Sequence, residues 1–257
     1  MPAIRAVPIW IFDRKFRAWK KSNPEGTFAE FYVADAESRI ARGQQHSTLG
    51  MRGWTSRGST VVDWDINNFS GRGLVNWHQI LALGLTPDMR CVDYGCGSLR
   101  LGQHAIRYLD PGNYFGVDLS DAFFTAGLKL LPPEMIESKQ PRFGIISDAL
   151  LESVRKWAPD FIFANAVLQH VAPDEVDRFL GNLKAMMTRA TSAYLIYVSG
   201  DRLHRIKPVT WSYPDALLEE KGHALFPKAK VHIKTANRSY QRLTGGNRKV
   251  LCIEPKR

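Results

Sequence analysis

The stretch Cys91-Val-Asp-Tyr-Gly-Cys-Gly-Ser98 constrains this chain more than any other. A short apolar run ends in an acidic residue and a glycine pair, and a helical pattern follows. That order predicts strand, tight turn and helix, the arrangement by which open α/β sheets grip an adenosine-containing ligand. Glycines at 95 and 97 let the backbone turn sharply and approach a ligand with no Cβ in the way. Spacing then separates two ligand classes. A dinucleotide fingerprint needs a third glycine three residues after Gly97, where Arg100 stands, and the next glycine is Gly102. A nicotinamide oxidoreductase is disfavoured on that ground, and by the lack of a Tyr-x-x-x-Lys pair.

The downstream sequence supports the motif. Tyr114-Phe-Gly-Val-Asp118 ends in a carboxylate 23 residues beyond Gly95, at the tip of a second strand, where it can accept bonds from ribose hydroxyls. Arg142 to Ser147 predicts a third strand ending at Asp148, and Asp160 to Asn165 a fourth ending in the turn towards His170. Strands are expected at 90–94, 113–118, 142–147, 159–165 and 193–199, with helices near 99–109, 120–130, 149–156 and 173–188. Such alternation implies a parallel sheet covered on both faces by helices. A short helix is expected at 214–221. The runs Lys228 to Ile233 and Lys249 to Ile253 predict two antiparallel strands joined by a loop. Ahead of the motif, residues 22–42 predict a helix begun by Ser22-Asn23-Pro24-Glu25. Residues 43–71 read as loops, and 72–83 as a helix.

Taken together, Val-Asp-Tyr-Gly-Cys-Gly-Ser, Gly-Val-Asp118-Leu-Ser, Ser-Asp148-Ala and Phe-Ala-Asn165-Ala-Val-Leu-Gln-His170-Val resemble the class I S-adenosylmethionine-dependent methyltransferases over residues 72 to 257. The resemblance implies a Rossmann-like open α/β sheet of about seven strands, in order 3-2-1-4-5-7-6 with the last strand antiparallel. Residues 72–257 would be the methyltransferase domain and 1–71 a helical and loop extension, a candidate substrate lid. S-adenosylmethionine is the implied cofactor. Asp118 would hold its ribose, Asp148 and Ala149 its adenine, with Leu119 over the ring face. Asp93, Tyr94, Gly95, Cys96 and Gly97 would frame the methionine end, where Arg100 could meet a carboxylate, and Asn165 closes the same wall. One departure stands out: the family's motif often carries a further glycine where this chain has Leu99.

Composition bounds the rest. An apolar fraction of 44% suffices for a core, and no run reaches the roughly 18 apolar residues of a spanning helix. Three cysteines (Cys91, Cys96 and Cys252) have no metal-ligand spacing, and no metal site is expected. Their odd number, with no secretion signal, fits a reducing cytoplasm. The net charge of +10 is uneven: residues 1–60 carry 10 Lys/Arg against 5 Asp/Glu and residues 201–257 carry 13 against 5, whereas 61–200 carry 12 against 15. An acidic centre suits a cationic cofactor, and basic flanks suit an anionic acceptor or surface. For residues 1–21, packing on the domain is the plain reading and contact with a membrane surface or anionic partner the sharper one.

His170, just past the fourth strand, is the first candidate base, since an imidazole titrating near neutrality suits removal of a hydroxyl proton. It could equally brace the helix that follows. His204 is the second, in a basic aromatic loop that offers Arg205 and Trp211 to an acceptor, with Trp54 and Arg57 placed to close from the N-terminal region. The fourth motif lacks the Asn/Asp-Pro-Pro-aromatic set of base-flipping amino methyltransferases, and no basic-aromatic stacking platform is evident. O-methylation of a small or saccharide-like acceptor, anionic in character, is therefore favoured. An RNA or protein acceptor, or a cofactor-binding protein without catalysis, remains open.

Overall fold

The computed structural model describes residues 8–42, 71–244 and 246–256. Two helices come first, α1 (Ile9–Ser22) and α2 (Phe28–Ala41), followed by α3 (Gly71–Leu81). The alternating part is β1 (Cys91–Tyr94), α4 (Gly102–Tyr108), β2 (Tyr114–Asp118), α5 (Asp121–Leu128), α6 (Pro133–Lys139), β3 (Arg142–Ile145), α7 (Asp148–Trp157), β4 (Phe161–Asn165), α8 (Val176–Met186) and β5 (Ser192–Val198). A hairpin of β6 (His204–Lys207) and β7 (Thr210–Ser212) leads to α9 (Asp215–Leu225), β8 (Ala229–Thr235), α10 (Arg238–Thr244) and β9 (Arg248–Pro255).

The main sheet has the order β3-β2-β1-β4-β5-β9-β8. Its first five strands are parallel, and β9 runs antiparallel to both β5 and β8. Leaving the hairpin aside, this is the order that the resemblance implies. Successive strand residues feed opposite faces, and both faces are covered, so the strands read as nearly continuous apolar runs. Val92, Val117, Ile162, Leu195 and Leu251 pack on one side, against α7, α8 and α9. Cys91, Phe161, Phe163, Ile196 and Cys252 pack on the other, against α3 and α4. All three cysteines are free and buried.

Local chemistry moves three expected boundaries. Residues 23–27 form the turn between α1 and α2. Asn23 ends α1 by donating through Nδ2 to the Trp19 carbonyl (3.0 Å). Helix α2 begins only after Thr27, whose hydroxyl accepts from the Glu30 amide (3.2 Å) while the Glu30 carboxylate accepts from the Thr27 amide (2.7 Å). That reciprocal box satisfies two amides which would otherwise lack partners, and it outweighs the Ser22-Asn23 signal. The expected loop between β8 and β9 contains α10, where Asn237 Oδ1 accepts from the Tyr240 amide (2.8 Å). The expected loop of residues 200–213 contains the β6–β7 hairpin.

The N-terminal helices share the sheet's core. Phe12, Phe28 and Phe31 belong to the buried cluster that includes Val92 and Leu195, and the Phe28 ring meets Trp211 edge-on at 5.0 Å. The Arg205 guanidinium lies over Trp211 (5.2 Å), Phe28 (5.8 Å) and Phe12 (6.0 Å) and pairs with Asp13 at 2.6 Å. This aromatic cage fastens α1 and α2 to the hairpin. Arg205→Ala is expected to cost about 1–3 kcal/mol of stability, read from urea unfolding. An unchanged midpoint would show that the cage carries no weight.

Candidate cofactor and acceptor cleft

A cleft of about 750 Å³ opens along the carboxyl ends of the parallel strands, within the roughly 300–1,000 Å³ typical of small-molecule sites. Its wall starts at the turn after β1. Gly95 has φ +83° and Gly97 φ +53°, both in the left-handed region. A Cβ on Gly95 would stand 2.5 Å from Val167, so that glycine lets the β1 and β4 turns touch. A Cβ on Gly97 would meet nothing within 4 Å, which leaves its backbone open to the cleft. Leu99 also has positive φ (59°) and is fully buried. The backbone thus keeps the conformation that a glycine would supply there, at a cost of about 1–2 kcal/mol. Burial of the leucine side chain in the core offsets that strain.

Asp118 ties this turn to β2. Its Oδ2 accepts from the Gly97 amide and its Oδ1 from the Leu119 amide, both at 2.7 Å. It lines the cleft yet is only 7% exposed. Burial pushes its carboxyl up to about 6, against the two amides that favour the charged form. Each oxygen keeps a lone pair for a further donor. Beneath it, Asp93 accepts from the Tyr114 hydroxyl (2.9 Å), and burial raises it to about 7.

Tyr94, Cys96 and Arg100 also line the cleft, as does Leu119, which is 42% exposed. Tyr94 is held from below, its ring stacked on Phe179 at 4.6 Å. Asn165 lines the cleft and accepts from the Tyr240 hydroxyl at 2.9 Å. After it, Ala166 takes φ +60°, a non-glycine residue in the left-handed region at the cleft's edge.

The residues expected at the adenine sit at the start of α7. Asp148 and Ala149 are exposed in the first turn of α7, and neither belongs to the cleft wall. Ser147 caps that helix, accepting from the Leu150 amide (3.3 Å), and the cap turns the chain away at Ile146, which does line the cleft.

At the other end, His170 lies in a single 3-10 turn, Leu168–His170, with its ring stacked on Tyr32 of α2 at 6.3 Å. Its Nδ1 is bonded to the Val209 carbonyl. A carbonyl can only accept, so Nδ1 carries the proton and Nε2 the lone pair. The Gln169 Nε2 amide lies 3.1 Å from His170 Nε2 and donates to it, while Gln169 Oε1 accepts from Arg248 Nη1. Burial holds the imidazole below its ordinary value, and Arg248 and Lys207 push the same way against the Val209 bond. His170 is therefore neutral near pH 7.

His204, Arg205 and Trp211 do not reach this wall. His204 is exposed at the start of β6, and the cage described above holds the other two. Residues 207–210, at the hairpin tip, line the cleft instead. Trp54 and Arg57 lie outside the described residues. Sequence reasoning passed over Tyr32, Ile146, Gln169, Tyr240 and Arg248. Position in the fold was the only available signal: β9 runs antiparallel, so its first residue, Arg248, starts at the edge where the parallel strands end.

Residues 92–190 match the family described as methyltransferase domain. No curated protein matches the chain. Among solved structures, the Burkholderia thailandensis 1,6-didemethyltoxoflavin-N1-methyltransferase, bound to its acceptor and S-adenosylhomocysteine, aligns at 16% identity with TM-score 0.56 over 90% of this chain and 92% of its own. The magnesium protoporphyrin IX methyltransferase of Synechocystis PCC 6803, with bound S-adenosylmethionine, aligns at 13% identity with TM-score 0.51, over 76% and 87%.

Proposed function

This chain carries a class I S-adenosylmethionine-dependent methyltransferase domain, and from that premise we propose that it O-methylates a small hydroxylated, saccharide-like acceptor, with His170 as base. The observation that supports this reading most is the pairing, across one cleft, of Asp118 stitched to the glycine turn with a neutral His170 of fixed tautomer.

The residues present fit the cofactor. Asp118 has acceptor capacity left for a ribose diol. Leu119 and Ile146 offer apolar surface to the adenine, and the open backbone at Gly97 admits the amino-acid end near Arg100. Bound there, S-adenosylmethionine supplies an electrophilic methyl group on a sulfonium sulfur. The chain's remaining tasks are to align the acceptor, exclude water and remove a proton. His170 takes the acceptor's hydroxyl proton at Nε2, the nitrogen that Gln169 occupies in the acceptor-free site. The Val209 carbonyl steadies the imidazolium through Nδ1–H.

Protons report on the cofactor half of this reading. Ribose donors favour the ionised form of Asp118, whose carboxyl titrates near 6 in the folded protein, against 3.8 for an ordinary aspartate side chain in water. The folded chain therefore holds this proton more tightly than the unfolded one, and the group's contribution to stability falls as pH rises from about 4 to about 6. Ligand binding reverses that preference. S-adenosylhomocysteine should bind progressively more weakly below about pH 6, approaching tenfold per pH unit. Near pH 6 it should release protons, as read by calorimetry in buffers of different ionisation enthalpy. Affinity independent of pH between 4.5 and 7.5 would contradict the role given to Asp118.

The acceptor half is tested with S-adenosylmethionine labelled in its methyl group and pools of sugars, hydroxy acids, amines and RNA. Label attached to oxygen of a small product is expected. Label on nitrogen, as the name of the Burkholderia relative describes for that enzyme, or on RNA, would overturn the assignment.

A further inference from the structure

The cations that line the cleft, Arg39, Arg100, Arg178, Lys207 and Arg248, are not equivalent. Arg39 pairs with Asp35 at 2.8 Å, Arg178 pairs with Glu175 at 3.7 Å, and Lys207 is exposed. Arg248 differs from all three. It is partly buried, lines the cleft and forms no ion pair among the described residues. Its Nη1 donates to an uncharged amide, Gln169, and its Nε is enclosed without a partner among the described residues. A guanidinium taken out of water without a counter-charge is destabilising, and active sites are where such a cost persists because a ligand offsets it.

We propose that Arg248 is the subsite for an anionic oxygen group, carboxylate or phosphate, on the acceptor. This rests on the function proposed above and narrows its acceptor class. One side-chain amide spans the gap between the two groups, with Gln169 Oε1 on Arg248 and Gln169 Nε2 on His170. An acceptor whose anion meets Arg248 while its hydroxyl meets His170 Nε2 carries the two groups only a few bonds apart. The class is a small hydroxy acid or sugar acid, or a hydroxylated phosphate ester. Gln169 is the positioning residue between them. When the acceptor takes over both of its contacts, the amide is displaced and the Nε2 lone pair becomes available to the hydroxyl.

The test is calorimetric, on the full chain saturated with S-adenosylhomocysteine, with inorganic phosphate and then acetate titrated at constant ionic strength. Phosphate should bind wild type in the millimolar range. Arg248→Met should weaken it at least about tenfold, Arg248→Lys should hold it within about threefold, and Lys207→Met should leave it nearly unchanged. S-adenosylhomocysteine affinity should be equal in all four proteins, which also shows that the variants fold. Tighter acetate than phosphate would select the carboxylate, and the reverse the phosphate. Failure of wild type to bind either anion, or binding indifferent to Arg248→Met, overturns the subsite while leaving the methyltransferase reading intact. Failure to bind S-adenosylhomocysteine at all overturns both.

Discussion

Asp118→Ala should weaken S-adenosylmethionine binding about 10²- to 10⁴-fold. Two hydrogen bonds to a charged, desolvated acceptor are lost, each worth about 1.5–3 kcal/mol. The effect is larger than a surface carboxylate would give, because this one is 7% exposed and buried beside the turn that it holds through the Gly97 amide. Asp118→Asn should fall between, since it keeps one acceptor and the shape but loses the charge. The proper readout is calorimetry on folded protein, with circular dichroism as the check, since the Gly97 and Leu119 amides lose their partner in the alanine variant. Affinity within threefold of wild type in Asp118→Ala would remove Asp118 from the cofactor site.

His170→Ala should lower turnover about 10²- to 10⁴-fold, the usual reach of general-base catalysis. Affinity for S-adenosylmethionine should stay within threefold, because no contact of His170 runs to the glycine turn or to Asp118. That split between turnover and cofactor binding separates a base from a brace. A purely structural His170 would be lost with the stability of the hairpin contact, and His170→Gln, which can still meet the Val209 carbonyl, would restore activity. Raising the pH should partly rescue His170→Ala by ionising the acceptor, but should do little for Asp118→Ala.

Much of this was legible in the sequence, and the divisions have physical reasons. Asp118 and the Gly95–Gly97 turn were readable because strand ends and left-handed turns impose residue types at fixed spacing. At residue 99 the sequence departs from the glycine pattern, yet Leu99 takes the glycine's backbone conformation because core burial offsets the strain. Asp148 stands exposed in the first turn of α7, because the cap by Ser147 starts that helix directly after β3. Basic and aromatic residues near the acceptor edge looked like ligand contacts. Arg205 and Trp211 were instead recruited to hold α1 and α2, a partnership 192 residues apart for Arg205 and Asp13 that no local pattern announces. Arg248 was hidden for the opposite reason. It opens the last strand, and only the antiparallel placement of that strand between β5 and β8 brings its first residue to the cleft.

The most direct test of the account is the structure of the protein crystallised with S-adenosylhomocysteine. It should show both ribose hydroxyls on the Asp118 carboxylate, the amino-acid end over the Gly95–Gly97 turn, and the sulfur facing the end of the cleft that holds His170. A ligand seated elsewhere, or an Asp118 carboxylate without contact to the ribose, would contradict it.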